Sequence, residues 1–193
     1  MKIKNKKYIV IAVISLLIIL GGVAWLLFSK NSPNATIIKD PAGVVLGLGD
    51  LPQDWSITFD EYYSPPDTYA KKYHECGFEN GFEREFKKGT AYLMSWAERF
   101  STAEGAKEAY EYWQSVANTM VSYGYAAPVE HDTVGDQSFL FQGFNTSHVC
   151  NGCSARFKKS NFLVHVDYSI DNVGELTISD ALGYLQTSEG RLH

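Results

Sequence analysis

The chain has 193 residues, of which 45% are hydrophobic and 14% aromatic, and its formal net charge at pH 7 is −5. The charge is uneven, because the first 30 residues contain five lysines and no acid, and the remainder carries 12 basic and 22 acidic residues. An acidic domain does not neutralise phosphates, so we expect no nucleic-acid binding. About 160 residues are enough for one domain with a hydrophobic core.

The N-terminus has the pattern of an uncleaved membrane anchor. Four lysines precede an uncharged apolar run over residues 8–28, which as a helix would cross a hydrocarbon core of ~30 Å. The lysine excess predicts a cytoplasmic N-terminus. The predicted organisation is a cytoplasmic basic tail (1–7), a transmembrane anchor in the lipid bilayer (8–28), a polar stalk (29–44) and an extracytoplasmic domain (45–193). A cleaved signal peptide and a secreted domain are the alternative.

The hydrophobic pattern after the stalk predicts alternating helices and strands. Trp55, Ile57 and Phe59 alternate with polar residues, as in a half-buried strand. The other predicted elements are a helix over 68–75, strands over 82–86 and 90–100 joined by a turn at 87–89, a helix over 103–123 opened by a capping box at 101–104, strands over 138–144, 153–158 and 162–170, and a helix over 178–192. We therefore predict an α+β fold, a twisted, mainly antiparallel sheet of about six strands with helices packed on one face.

Side-chain alternation indicates which strand faces are buried. Both alternating sets of the 90–100 strand are largely apolar, which predicts cover on both of its faces. In the last strand Phe162 and its alternate neighbours form the core face. His165 and Asp167 belong to the other set, which we interpret as a solvated face. Glu83 and Glu85 are interpreted in the same way as exposed residues on a strand.

Four short motifs resemble a broad group of uncharacterised extracytoplasmic domains that are attached to membranes by an anchor or a lipid. The group's pattern is DLPxGW, a Gly-Phe before a strand pair, a helix of AEGAKxAY type, and VGDxSF; here these stand at residues 50–55, 77–78, 103–110 and 134–139. The chain is also loosely similar to the outer sensor domains of some bacterial membrane kinases. Asp54 stands where the pattern has glycine, and the cysteines are not part of it. The resemblance implies an extracytoplasmic, non-enzymatic module, and no binding residue is carried over.

The cysteines are the one group with obvious chemistry. Cys76 is isolated, whereas Cys150 and Cys153 form a CxxC motif. A topology argument, in which the long helix returns the chain to the far end of the sheet, places all three at one end. The open alternatives are a disulfide from Cys76 to Cys150 or Cys153, a local Cys150–Cys153 bridge, a zinc site with His148, thiol–disulfide catalysis, and unpaired thiols.

No other motif predicts a catalytic residue or a bound cofactor. Asn34 and Asn145 match the N-glycosylation acceptor pattern. The sequence favours a membrane-anchored module that binds an extracytoplasmic protein or a small ligand, at the concave face of the sheet or its end loops. The alternatives are a metal-binding or thiol-redox protein that uses the cysteines, and a purely structural envelope component.

Overall fold

The structure is a computed structural model that describes residues 39–64, 67–144, 150–169 and 177–193. All of them belong to the unit Asn34–His193. The predicted anchor at 8–28 and the acceptor sites Asn34 and Asn145 lie outside the described residues. Within the described ranges, no helix is both long and apolar enough to cross a membrane.

In the described ranges seven strands form one sheet in the order β1-β2-β3-β7-β6-β5-β4, and every neighbouring pair is antiparallel. The strands are β1 (Ser56–Tyr63), β2 (Phe78–Lys88), β3 (Ala91–Phe100), β4 (Ala126–Pro128), β5 (Gln137–Phe144), β6 (Cys150–Lys159) and β7 (Phe162–Ser169). The helices are α1 (Asp67–Glu75), α2 (Ala103–Ser122) and α3 (Ile178–Gly190). Two 3-10 turns, Pro41–Gly43 and Leu48–Asp50, precede β1. The predicted α+β class and antiparallel sheet are confirmed, with one strand more than expected.

The helices cover both faces of the sheet, so the prediction of helices on one face is wrong. Val164 and Val166 of β7 belong to the core cluster that includes Ala181 and Leu185 of α3. Leu163, which lies between the two core residues Phe162 and Val164, belongs to the cluster that includes Ala106 of α2. We call these the α3 face and the α2 face. Because successive strand residues point to opposite faces, β7 is buried on both.

The prediction that the long helix is followed directly by a returning strand is also wrong. We call the end of the sheet where Phe100 pairs with Phe78 the upper end, and the end where Ser169 pairs with Tyr92 the lower end. Helix α2 runs downward, but β4, a strand that was not predicted, then runs upward beside β5. Strand β5 therefore begins at the upper end and finishes at the lower one, where Phe144 pairs with Cys150.

Local chemistry accounts for the helix starts and for one motif of the resemblance. The Thr102 hydroxyl accepts a hydrogen bond from the Gly105 N–H at 3.0 Å and caps α2, and Thr177 and Asp180 form a capping box at α3. A Cβ atom at Gly105 would lie 1.9 Å from the Cys76 carbonyl oxygen. The glycine of the AEGAK motif therefore permits α2 to pack closely on the turn that joins α1 to β2.

Candidate functional site

A chain of polar side chains lies buried on the α2 face, across β3, β7 and β6. Glu98, His165 and Arg156 are 2%, 0% and 7% exposed. The His165 Nε2 atom is 3.1 Å from Glu98 Oε2, and Arg156 Nε donates to His165 Nδ1 at 2.7 Å. The interpretation of His165 as a residue on a solvated strand face is therefore wrong.

The hydrogen bonds fix the tautomer of His165. An arginine guanidinium only donates hydrogen bonds, so Nδ1, which faces Arg156, must be the unprotonated nitrogen. The proton then sits on Nε2 and is donated to Glu98. Burial lowers the pKa of His165, against the raising influence of Glu98, and the Arg156 guanidinium lowers it further. His165 is thus a neutral link between a carboxylate and a guanidinium.

Two tyrosines complete the partners of Glu98. The Tyr63 hydroxyl donates to Oε1 at 2.7 Å, and the Tyr73 hydroxyl donates to Oε2 at 3.0 Å. Tyr73 in turn accepts a hydrogen bond from Trp113 Nε1 at 2.6 Å. Burial raises the pKa of both tyrosines, and the nearby Glu98 raises it further. Glu98 therefore connects β1, α1 and, through Tyr73, α2, by donors that remain protonated.

Arg156 follows His165 in this series of buried polar side chains. Its Nη1 donates to the Ser154 hydroxyl, and its Nη2 lies 3.3 Å from Asp167 Oδ2. Its Cζ atom lies 4.7 Å from the ring centroid of Trp113 and 5.6 Å from that of Trp96, within the range of cation–π attraction. The guanidinium is thus fixed in position by three acceptors and by aromatic rings.

The polar chain ends at the floor of a cavity of about 370 Å³ between the second half of α2 and the lower part of the sheet. The walls are mainly apolar, and the floor is polar. The wall residues include Trp113, Ala117, Met120, Tyr125 and Phe141, and the floor residues include Ser154, Arg156 and Asp167. An apolar cavity with a few convergent polar groups is the usual form of a small-ligand site.

Asp167 is the least satisfied polar group of this floor. Its side chain is 30% exposed and receives the 3.3 Å hydrogen bond from Arg156 on Oδ2. Its Oδ1 atom is buried and has no hydrogen-bond partner in the described part of the chain. Buried polar atoms are nearly always paired, so Asp167 uses little of its acceptor capacity, and a ligand in the cavity reaches its carboxylate through the exposed part of the side chain.

A second acidic group lies on the α2 face, along β2. Glu83 pairs with Trp96 of β3, and Glu85 pairs with Met94. Burial, the largest cause, and the neighbouring carboxylates of Glu85 and Glu98 together raise the pKa of Glu83 to about 7. The interpretation of Glu83 and Glu85 as ordinary exposed residues is corrected, since both are only half exposed.

The structure separates the predicted cysteine partners. Cys76, a free thiol, is buried on the α2 face near the upper end of the sheet. Cys153 is buried in the α3-face cluster, beside Tyr168 near the lower end. At about 3.4 Å per strand residue the two are roughly 20 Å apart, whereas a disulfide needs Cα atoms within about 7 Å. The structure therefore rules out a bond between Cys76 and Cys153, and Cys150 lies further still from Cys76 along β6.

The residues predicted to bind zinc do not lie together either, because Cys76 and Cys153 are near opposite ends of the sheet. His148 and the side chain of Cys150 lie outside the described residues, so a local Cys150–Cys153 bridge stays a prediction. Among the side chains that are described, no group of three His, Cys, Asp or Glu residues is arranged to hold a metal ion. Cys153 is among the residues that line the cavity, next to Ser154, which connects this part of the CxxC motif with the candidate site.

Comparisons with known proteins assign no family. No protein-family model matches the sequence, and no curated protein matches it. Among solved structures, the chain is similar to the extracellular domain of PknH from Mycobacterium tuberculosis, with a TM-score of 0.49 and 9% identity over 79% of this chain and 94% of that one. It is also similar to an uncharacterized protein from Mycobacterium smegmatis, the Rv0999 ortholog, with a TM-score of 0.48 and 9% identity over 79% of this chain and 96% of that one. Similarity at this level does not carry a function across.

The sequence contained a signal for the buried polar chain. Both faces of β3 were predicted to be covered, and Trp96 lies on the α2 face of that strand, opposite His165 in β7. If one strand is covered on both faces, its neighbour in the sheet is covered as well. The missing step was the pairing of β3 with β7, which lie about 70 residues apart in the chain and whose pairing cannot be derived from strand periodicity.

Proposed function

We propose that this domain is a binding module for a small ligand and that the ligand occupies the cavity between α2 and the lower part of the sheet. The observation that carries the proposal is the cavity itself, an apolar space whose polar floor is held in position by buried residues. Hydrogen bonds connect Glu98 through His165 and Arg156 to Asp167, so the floor has a fixed geometry before any ligand binds. Such preorganisation lowers the entropic cost of binding.

The contacts favour binding over covalent chemistry. The Ser154 hydroxyl accepts a hydrogen bond from Arg156, and His165 is fully buried and occupied on both ring nitrogens. A general base must reach the proton that it removes, and His165 does not reach the cavity. The polar residues therefore support a role in positioning a ligand.

A cavity-filling substitution tests the proposal. Ala117 lies on the cavity wall, whereas its neighbour Asn118 is exposed. With 4-phenylbutanol as the probe, we expect ligand-observed NMR of the full chain to detect binding that Ala117→Trp abolishes and Asn118→Trp leaves unchanged. Binding that persists in Ala117→Trp, or a lack of any binding to the unmodified chain, would overturn the proposal.

We further propose that residues 8–28 anchor the chain in the cell membrane and display the domain outside. The four lysines before the apolar run, against the single Lys30 just after it, support this orientation. A membrane-impermeant maleimide added to intact cells should label Asn118→Cys and leave Lys4→Cys unlabelled. Labelling of position 4 with protection of position 118 would show the opposite orientation.

A further inference from the structure

The floor of the cavity offers an acceptor, and it is a carboxylate. An ionised carboxylate has about four positions at which it accepts hydrogen bonds. Asp167 accepts one from Arg156, at the long distance of 3.3 Å, and its Oδ1 has no partner among the residues that the structure describes. A ligand in the cavity reaches this carboxylate through the exposed part of the Asp167 side chain, which is 30% exposed, and a donor there would add to the single long hydrogen bond from Arg156.

The one basic side chain among the described lining residues is largely committed to acceptors within the protein. Arg156 donates through Nε to His165, through Nη1 to Ser154 and through Nη2 to Asp167. Aromatic rings of Trp113 and Trp96 lie against the guanidinium. Three of the five guanidinium N–H groups are thereby used, so an anionic ligand would have only the remaining two, beside the carboxylate of Asp167.

The charged residues behind the cavity floor are on balance negative, like the Asp167 carboxylate on the floor itself. With His165 neutral, the group of Arg156, Asp167 and Glu98 carries one positive and two negative charges. Glu85 and Glu83 lie along β2 on the same α2 face of the sheet, and Glu83, whose pKa is raised to about 7, is only partly ionised at neutral pH. Electrostatic interactions of buried groups are weakly screened by salt, so the floor presents a negative field to the cavity.

The walls suit a cation that has an apolar body. Trp113, Tyr125 and Phe141 line the cavity together with Ala117 and Met120 of α2. The faces of aromatic rings attract cations, and the remaining wall buries apolar surface. Arg156 is an example of a cation bound in this way, because its guanidinium already lies against the rings of Trp96 and Trp113.

We propose that the cavity binds an organic amine whose ammonium group is held by Asp167 and whose apolar body lies along the second half of α2. This inference rests on the proposed function and specifies its ligand class. The ammonium donates to the Asp167 carboxylate beside Arg156, and the aromatic walls enclose the rest of the molecule.

Three probes with one apolar body and different end groups test the charge preference. They are 4-phenylbutylamine, 4-phenylbutanol and 4-phenylbutyrate, titrated at neutral pH against the full chain by ligand-observed NMR. We expect the amine to bind about tenfold more tightly than the alcohol, as one charge-assisted hydrogen bond allows, and the carboxylate to bind most weakly. Asp167→Asn should bring the amine to within about twofold of the alcohol. Asp132→Asn, at an exposed acid outside the cavity lining, should leave the preference intact.

A second variant guards against loss of folding in Asp167→Asn. Met120 lies at the cavity and is 46% exposed, so Met120→Lys adds a positive charge there without disturbing the core. It should weaken binding of the amine several-fold and leave that of the alcohol unchanged. If the alcohol binds in the cavity and the amine binds no better, the amine proposal is overturned and the proposed function stands. If neither the amine nor the alcohol binds, or if either still binds to Ala117→Trp, the proposed function falls and the amine proposal falls with it.

Discussion

The imidazole of His165 lies nearly parallel to the indole of Trp96, with ring centroids 4.3 Å apart and an angle of 16° between the planes. The two residues are direct cross-strand partners of β7 and β3. Trp113 of α2 approaches the same imidazole edge-on, at 5.9 Å and 84°. Stacking of this kind, together with hydrogen bonds at both ring nitrogens, leaves one orientation and one protonation state for His165.

The unfolding free energy should depend on pH through His165. Because its pKa is lowered in the folded chain, the unfolded chain binds a proton below about pH 6.5 that the folded chain does not. Stability is therefore fully present above that pH and falls as the pH decreases towards the folded-state pKa, by at most ~1.4 kcal/mol per pH unit for one proton.

His165→Gln isolates this dependence. A glutamine can accept from Arg156 and donate to Glu98, but it does not titrate. Urea unfolding at several pH values should show a variant that is less stable at pH 8 and that has a shallower slope on the acid side. Parallel curves for the two proteins would mean that His165 is not the group responsible.

The contribution of Glu83 to the unfolding free energy should depend on pH in the opposite sense to that of His165. The pKa of Glu83, about 7 in the folded chain, is above that of an ordinary glutamate, so the folded chain binds more protons between about pH 4.5 and 7. Stability from this group is present at low pH and is lost as the pH rises through 7. Glu83→Gln should therefore stabilise the protein at pH 8 by about 0.2–1 kcal/mol, a range that allows for solvent screening, and by less at pH 5. Glu130→Gln, at an exposed position, is the control and should have no effect at either pH.

Tyr73→Phe should destabilise the fold by about 1–3 kcal/mol, because it leaves the indole N–H of Trp113 without its acceptor and removes a donor from Glu98. Tyr110→Phe is the matched control. Tyr110 is also buried, but its hydroxyl makes no hydrogen bond among the described residues, so its loss should change the unfolding free energy by less than about 0.5 kcal/mol. Equal effects in thermal or urea unfolding would contradict the bridging role of Tyr73.

Two glycine-to-alanine changes in helices should have opposite signs. At Gly105 the added Cβ would collide with the Cys76 carbonyl, and we expect a loss of about 1–3 kcal/mol as α2 is pushed from the α1–β2 turn. At Gly183 in α3 an added Cβ would meet no atom within 4 Å, so alanine should stabilise by about 0.5–1 kcal/mol. Circular dichroism melts of both variants would measure this, and a stabilised Gly105→Ala would show that the close approach does not exist.

Periodicity predicted most of the elements. The long helix was expected over 103–123 and extends over Ala103–Ser122, and the strand expected over 162–170 extends over Phe162–Ser169. Asp54, which replaces the glycine of the DLPxGW pattern, has a φ of 75°. Glycine adopts this conformation at the lowest cost and aspartate tolerates it. The position at which the pattern has glycine thus coincides with a backbone conformation that favours glycine, although in the sequence Asp54 was evident only as a departure from the pattern.

The candidate site was harder to predict because it depends on long-range pairing. Strand β4 has three residues and ends in Pro128, so it lacked an alternating pattern. Without β4 the chain direction after α2 was inverted, and Cys153 was placed at the wrong end of the sheet. Arg156 lies in a predicted strand but had no assigned partner, because His165 and Asp167 reach it only across the β6–β7 pair.

The position of β7 in the sheet constrains the order of assembly. Of the seven described strands it is the last to be synthesised, yet it is the central strand that joins β1-β2-β3 to β4-β5-β6. Until residue 169 is available, the two halves have unpaired inner edges and Glu98 lacks its partner His165. The pairing of β7 with β3 closes the long chain segment that lies between them, and this is slow relative to pairing between strands that are adjacent in sequence. A nascent chain that ends before β7 would therefore expose two unpaired sheet edges, with which strands of other chains could pair. A chaperone that shields these edges would be needed until the final fifth of the polypeptide has been synthesised.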